Sequence, residues 1–277
     1  MNAAITHIST ACVLLEIGPV RILTDPVFDT DVHKYGFGLG LSATRRLGPY
    51  LPMDKLPPLD AVLLSHAHHG DNLDDLGKKI VVEKASKIIS HPSARKILGD
   101  TVTALRTWEK TTIEGTDEAG NRFTVTVTAT PACHGPVWLS FLWPELRHVT
   151  GFVLEWKGQK NGALYISGDT IFFSGIRRIA EEMKAANKCI GTAIFHLGGV
   201  HFWPPFPSCI RATFTAKAAV EAACVLQPSA IIPIHYEQSV WSHFKQDVPT
   251  YQREFAKAGL VNRIKWLPKG EAITVDI

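Results

Sequence analysis

Ser65-His66-Ala67-His68-His69-Gly70-Asp71-Asn72 follows directly on the apolar run Ala61-Val62-Leu63-Leu64. Histidines 66, 68 and 69 and the Asp71 carboxylate thus crowd the end of a strand-like stretch. Imidazole and carboxylate together suit a borderline-soft divalent ion such as zinc. A buried strand ending in such a cluster offers several ligands from a rigid edge instead of a flexible loop.

The same placement recurs along the chain. His134 follows the alternating run that ends at Thr130, in Thr130-Pro131-Ala132-Cys133-His134-Gly135. Asp169 follows Ala163–Ser167, in Ser167-Gly168-Asp169-Thr170, and His235 follows Ile231–Ile234, in Ile232-Pro233-Ile234-His235-Tyr236-Glu237. Glycines beside His134 and Asp169 permit close backbone approach. Each residue also has a plainer reading. Histidines 66 and 68 could sit in a surface loop, Asp71 could cap the segment 73–76, His69 could be solvated or support a ligand, and a lone histidine is usually packed. The repeated position just past an apolar run favours ligation.

Strand-like segments dominate the first third: 11–17, then 20–23 after the Gly18-Pro19 turn. The Gly-rich aromatic stretch Tyr35–Leu41 has no period and reads as a long loop. Residues 123–130 alternate with many β-branched side chains, and 151–156 with 163–167 read as a hairpin. Helical spacing marks 176–187, 215–226 and 247–258, interleaved with strand-like 192–195 and 230–234. Strands first and a β-α-β-α pattern later argue for mixed α/β layers, and no linker or composition break divides the chain.

Composition narrows the function classes. The 277 residues are 45% hydrophobic and 20% charged, with a formal charge of +3. That balance, without a basic block, disfavours a nucleic-acid protein. The start lacks a basic region followed by an apolar stretch, so no signal peptide is expected. The longest apolar runs are strand-sized, too short to span a bilayer. The cysteines at 12, 133, 189, 209 and 224 form no C-x-x-C pair. A reducing cytoplasm fits them better than a disulfide framework.

Taken together, these segments resemble the metallo-β-lactamase-fold hydrolases, in the branch that includes ascorbate-6-phosphate lactonase and the phospholipase D acting on N-acyl phosphatidylethanolamine. The resemblance rests on Ile5–Ile8 with Val13–Glu16, Ile22–Phe28, Leu56–His66, Tyr165–Thr170, and Pro233–Glu237 followed by Trp241–Phe244, in that order. It implies a four-layer αβ/βα sandwich forming a single domain over 1–277. By the family motif H-x-H-x-D-H, His66, His68 and His134 would hold a first metal, Asp71 and His235 a second, and Asp169 would bridge them. Two departures stand out. An extra residue separates His68 from Asp71, and Asn72 stands where the family has histidine. His69 could then substitute as a ligand, or the site could hold one ion. Thr213-Phe214 also occupies the place of a His-Met pair common in the branch.

The resemblance implies hydrolysis of a small ester-type substrate, a lactone or phosphate ester, by a metal-bound hydroxide, with Asp71 as catalytic carboxylate. The cofactor would be one or two divalent ions: zinc, with manganese and iron as alternatives. Asp25, in Asp25-Pro26, would lie beneath the centre. His196, His201 and His243 would stand near the substrate pocket, and the aromatics of 202–206 and 35–41 could line it or form a contact between copies. The partner expected is a small molecule, with no nucleic acid and no membrane span. The rivals are a nuclease of the same fold and a metal-binding protein whose catalysis has decayed.

Overall fold

The structure, a computed structural model, describes residues 2–37, 40–201 and 210–277. One sheet contains β1 (Asn2–Ser9), β2 (Cys12–Ile17), β3 (Val20–Thr24), β6 (Ala61–Leu64), β7 (Ile88–Ser90), β8 (Val102–Ala104) and β15 (Ala272–Asp276), in the order β15-β1-β2-β3-β6-β7-β8. The other contains β9 (Lys110–Thr116), β10 (Arg122–Pro131), β11 (Thr150–Trp156), β12 (Ala163–Ile166), β13 (Ile190–His196) and β14 (Ala230–Ile234), in the order β14-β13-β12-β11-β10-β9. A separate hairpin joins β4 (His33–Gly36) to β5 (Ser42–Arg45). The helices are α1 (Asp75–Lys84), the short α2 (Arg95–Leu98), α3 (Ser174–Ala185), α4 (Ala216–Leu226) and α5 (Val248–Lys257).

Side-chain alternation along the strands builds the layers. Val13, Leu15 and Ile17 of β2 and Leu63 of β6 point between the sheets, where they meet Val125, Val127, Phe152, Leu154, Leu164 and Ile166. Their neighbours Cys12, Leu14, Val62 and Leu64 point outward and pack with Ile80 and Val81 of α1. On the far side Val153, Tyr165, Ala193 and Phe195 pack with α3, α4 and α5. The result is the four-layer αβ/βα sandwich.

The later helices form where their spacing predicts. Ala216, Ala219, Ala222, Ala223 and Leu226 make one buried stripe on α4, and the Thr215 hydroxyl accepts from the Ala218 N–H as its cap. Asp247 caps α5, Pro249 occupies its first turn, and Tyr251 and Phe255 are its buried face.

One expectation fails and one helix went unpredicted. The stretch 35–41 is not simply a loop, because Tyr35 and Gly36 belong to β4, which pairs with β5 (Gly36 opposite Ser42). That hairpin is stabilised by partners distant in sequence: Arg45 forms a bridge with Trp241, and Tyr35 packs on the Trp241 ring. Helix α1 was not anticipated, since its buried face is only Gly77, Ile80 and Val81 among charged neighbours.

Gly77 places α1. A Cβ there would lie 2.0 Å from the Pro26 carbonyl oxygen, so only glycine lets the helix rest on the Asp25-Pro26 turn. Gly77→Ala is expected to cost about 1–3 kcal/mol through overpacking. Urea unfolding reads this directly, and an unchanged midpoint would refute the contact.

Candidate metal centre

The sheets deliver their functional residues to one edge. Strands β3, β6, β12, β13 and β14 are parallel members of the two sheets, and Asp25, His66, Asp169, His196 and His235 lie at or just past their carboxyl ends. Strand β10 runs antiparallel to β11, which runs antiparallel to β12, so β10 also ends at this edge and delivers His134. Two of these ends carry non-glycine residues with positive φ, Asp25 (+34°) and His235 (+59°). Such strain persists where the surrounding structure holds a side chain to a task. Gly168, at φ +60°, precedes Asp169; a Cβ there would stand 2.5 Å from the Thr150 carbonyl oxygen.

The first cluster is His66, His69 and His134. His66 Nε2 lies 2.9 Å, and His134 Nε2 3.1 Å, from His69 Nδ1. Partners on the opposite side of the His66 and His134 rings fix their tautomers. His134 Nδ1 is 2.7 Å from the Ala212 carbonyl oxygen, which can only accept, so Nδ1 carries the proton and Nε2 a lone pair. Ser65 Oγ donates to Asp25 Oδ1 at 2.9 Å and accepts from His66 Nδ1 at 2.9 Å, which leaves His66 Nε2 a lone pair as well. A proton on His69 Nδ1 can serve one of these lone pairs well; a cation serves all three. Burial and the neighbouring imidazoles hold His66 and His69 well below the usual histidine range, the neutral state a metal requires.

The second cluster is Asp71, Asp169 and His235. His235 Nε2 is 3.5 Å from Asp71 Oδ2 and 3.6 Å from Asp169 Oδ2. Its Nδ1 faces the Leu197 carbonyl oxygen at 3.3 Å, so Nε2 is the atom turned on the carboxylates. Asp169 Oδ1 and His235 Nε2 are buried and lack a hydrogen-bond partner among the described residues. Burial opposes charge on His235, but Asp169 and Asp71 outweigh it and raise the ring to about 9. The site therefore draws positive charge to itself. His134 Nε2, 3.8 Å from Asp169 Oδ2, joins the two clusters.

Supporting residues surround both. Asp25 Oδ1 accepts from the Ser65 N–H at 2.7 Å and from its hydroxyl, while burial raises the Asp25 carboxyl to about 7. His196 Nε2 stands 3.4 Å from Asp25 Oδ2, and burial lowers that ring to about 3. His243 Nε2 donates to Asp71 Oδ2 at 2.9 Å. Asn72 reaches both carboxylates: turned nitrogen-inward, its amide donates to Asp169 Oδ2 at 3.3 Å and Asp71 Oδ1 at 3.2 Å. Turned oxygen-inward, it adds a third acceptor that a cation must satisfy, while its nitrogen donates to Ser65 Oγ.

A cavity of about 340 Å³ opens over the first cluster, lined by His68, His69, His134, Phe37, Leu41, Leu139, Trp143, Leu146, Ile210, Arg211 and His201 among others. Of the residues singled out in the sequence, the structure brings together His66 and His134 in one cluster and Asp71, Asp169 and His235 in the other. It puts His69, in place of His68, among the converging atoms; His68 lines the cavity with its ring centre 4.2 Å from that of His69. Burial lowers His68 to about 3. Counting the motif back from Asp71 as H-x-D would have selected His69. Of the histidines expected near the pocket, His201 lines it, while His196 and His243 are buried behind the carboxylates. Phe37 and Leu41, from the stretch read as either pocket lining or a contact between copies, line it; the aromatics of 202–206 fall outside the described residues. No sequence signal marked Arg211, Leu146 or Trp143.

A family model described as the beta-lactamase superfamily domain matches residues 20–236. A UPF0173 metal-dependent hydrolase of Methanosphaerula palustris is 26% identical over 268 residues, 96% of each chain. Two solved structures share the fold at 18% identity: a possible metal-dependent hydrolase from Veillonella parvula (TM-score 0.77) and an isothiocyanate hydrolase from Delia radicum gut bacteria (TM-score 0.75), each covering 99% of this chain and 100% of its own.

Proposed function

Because this chain belongs to the beta-lactamase superfamily domain family, we propose that it is a metal-dependent hydrolase working as one domain over 1–277. The observation that carries this reading is the pair of three-residue clusters, each with its ligand atoms within 4.8 Å of one another, beside an open cavity. His66, His69 and His134 would hold one divalent ion, and Asp71 and His235 a second, with Asp169 between them. The three-imidazole set suits zinc, with manganese or iron as alternatives. A divalent ion held there would supply a water whose pKa is lowered toward about 7 and would polarise the scissile group.

The chain's own residues do the rest. Asp71, held by the His243 donor, orients the attacking water and takes its proton. The Ala212 and Leu197 carbonyls and the Asp25–Ser65 pair hold the ligand rings in the required tautomers. Phe37 packs at a tilt, its ring centre 5.0 Å from that of His69 and 5.1 Å from that of His243, and keeps bulk water off the cluster. A cavity this small fits a lactone or a small phosphate ester better than a polymer. The formal charge of +3 does not supply the basic groove a nuclease uses. No helix among the described residues is long and apolar enough to cross a membrane, and the free thiols Cys12, Cys133, Cys189 and Cys224 fit a cytoplasmic enzyme.

Elemental analysis of the purified protein is expected to find zinc, manganese or iron. His69→Ala should weaken the first ion's binding at least about 10-fold, while His68→Ala keeps it. Metal loss in His68→Ala alone would reassign the ligand. A panel of lactones, phosphodiesters, β-lactams and isothiocyanates tests the substrate class, and full-rate turnover by chelator-stripped protein would overturn the reading.

A further inference from the structure

We propose that Arg211 and His201 form an anion-binding end of the cavity, so that the substrate is an apolar molecule bearing a carboxylate or phosphate remote from the bond that is cut; the substrate role, though not the anion site, rests on the hydrolase reading above. Most of the other side chains lining the cavity are apolar: Phe37, Leu41, Leu139, Trp143, Leu146 and Ile210. Into this lining projects one guanidinium. Arg211 Nη1 donates to the Gly199 carbonyl oxygen at 3.0 Å and to His201 Nδ1 at 2.8 Å. Because a guanidinium only donates, His201 Nδ1 must accept, and the ring proton sits on Nε2. Both residues therefore present N–H donors and no acceptor beyond the contact they already share.

Among the described residues, the arginines in ion pairs are Arg21, Arg45, Arg122, Arg177 and Arg178, so Arg211 has no carboxylate within ion-pair distance, and its hydrogen bonds use Nη1 alone. Glu145 lines the same cavity but is exposed. A partly buried, positioned guanidinium without a counter-ion suits a planar or tetrahedral oxyanion, which it can grip through parallel N–H bonds. The backbone ties this end to the metal centre, since the next residue, Ala212, supplies the carbonyl that orients His134 at 2.7 Å. The volume of about 340 Å³ accommodates a ring and a short chain between the two ends.

Binding to metal-free protein isolates this site, because a carboxylate then has no metal to seek. Calorimetric titration with 4-phenylbutyrate, 2-phenylethylphosphonate and the neutral 4-phenylbutyramide is expected to show at least about 10-fold tighter binding of one or both anions, as charge-assisted bonds require. The two anions separate a carboxylate site from a phosphate site. Arg211→Met should erase the preference with metal content unchanged, and Arg211→Lys should keep part of it. Equal affinity for anion and amide, or a preference that survives Arg211→Met, overturns the proposal. In turnover, 4-nitrophenyl butyrate and the mono-4-nitrophenyl ester of glutarate form a matched pair. Arg211→Met should raise KM for the anionic ester alone, with kcat little changed. Anion preference in a protein that binds no metal and cleaves no ester would sink the hydrolase and leave the anion site standing; metal and turnover without preference would do the reverse.

Discussion

Asp169→Asn is expected to lower turnover by more than about 100-fold, the upper end of losses when a residue only supports a metal ligand. Bound metal should fall by at least one ion per chain. Asp169 is fully buried, and its Oδ2 faces His134 at 3.8 Å and His235 at 3.6 Å. Among the described residues it is thus the one carboxylate placed between the two clusters. Its Oδ1 has no hydrogen-bond partner among the described residues. An unpaired buried acceptor is costly in a folded protein unless something fills its need.

This predicts a crossing of stabilities that distinguishes a ligand from a packing residue. In metal-free protein Asp169→Asn should melt at or above the parent, since it removes a buried charge while Asp71 still faces His235 at 3.5 Å. With saturating metal the parent should melt higher, because binding to the folded state alone stabilises it by mass action, about 2.7 kcal/mol at 100 times the dissociation constant. A structural role predicts the variant to be less stable under both conditions. Parent-like metal content and turnover would remove Asp169 from the centre.

How much of this was legible in the sequence depended on how local the cause was. Residues 123–130 read as a strand because alternation is written into Val125, Val127 and Ala129 themselves, which all face the core between the sheets. Helices α4 and α5 were legible for the same reason, since their spacing is written into the segments 215–226 and 247–258 themselves. The β4–β5 hairpin was not: His33, Lys34 and Gly36 are exposed, and Trp241, two hundred residues away, supplies much of its packing. The choice between His68 and His69 lies between. Adjacent residues point in different directions, and the extra residue before Asp71 leaves the phase undetermined unless the motif is counted from its acidic end. Arg211 carried no pattern at all, because what gives it meaning is an apolar cavity assembled from other elements.

The largest effect on stability is expected at a pair that sequence reading passed over, Arg45 and Asp74. Both are buried, and Arg45 Nη1 meets Asp74 Oδ2 at 2.6 Å. Asp74 also caps α1, accepting from the Gly77 N–H at 2.7 Å, and it accepts from the Asp29 N–H at 2.6 Å. One side chain thereby joins β5, the loop after β3 and the helix that begins just past Asp71 and Asn72. Arg45→Met leaves the carboxylate buried without its cation and should cost about 3–5 kcal/mol in urea unfolding. Asp74→Asn strands the guanidinium and should cost a similar amount. The double variant should lose clearly less than the sum, since neither charge is then left alone. Acid should soften the Arg45→Met defect. Burial raises Asp74 to about 6 even with Arg45 present, above its unfolded value near 3.8. The folded state therefore holds the proton more tightly, a stabilisation complete below about pH 4 and lost as pH rises through about 6. Removing Arg45 moves that carboxyl higher still, so the variant's deficit should shrink between pH 7 and pH 5. Additive single effects, or a deficit that grows on acidification, would mean that the pair is not coupled as its geometry requires.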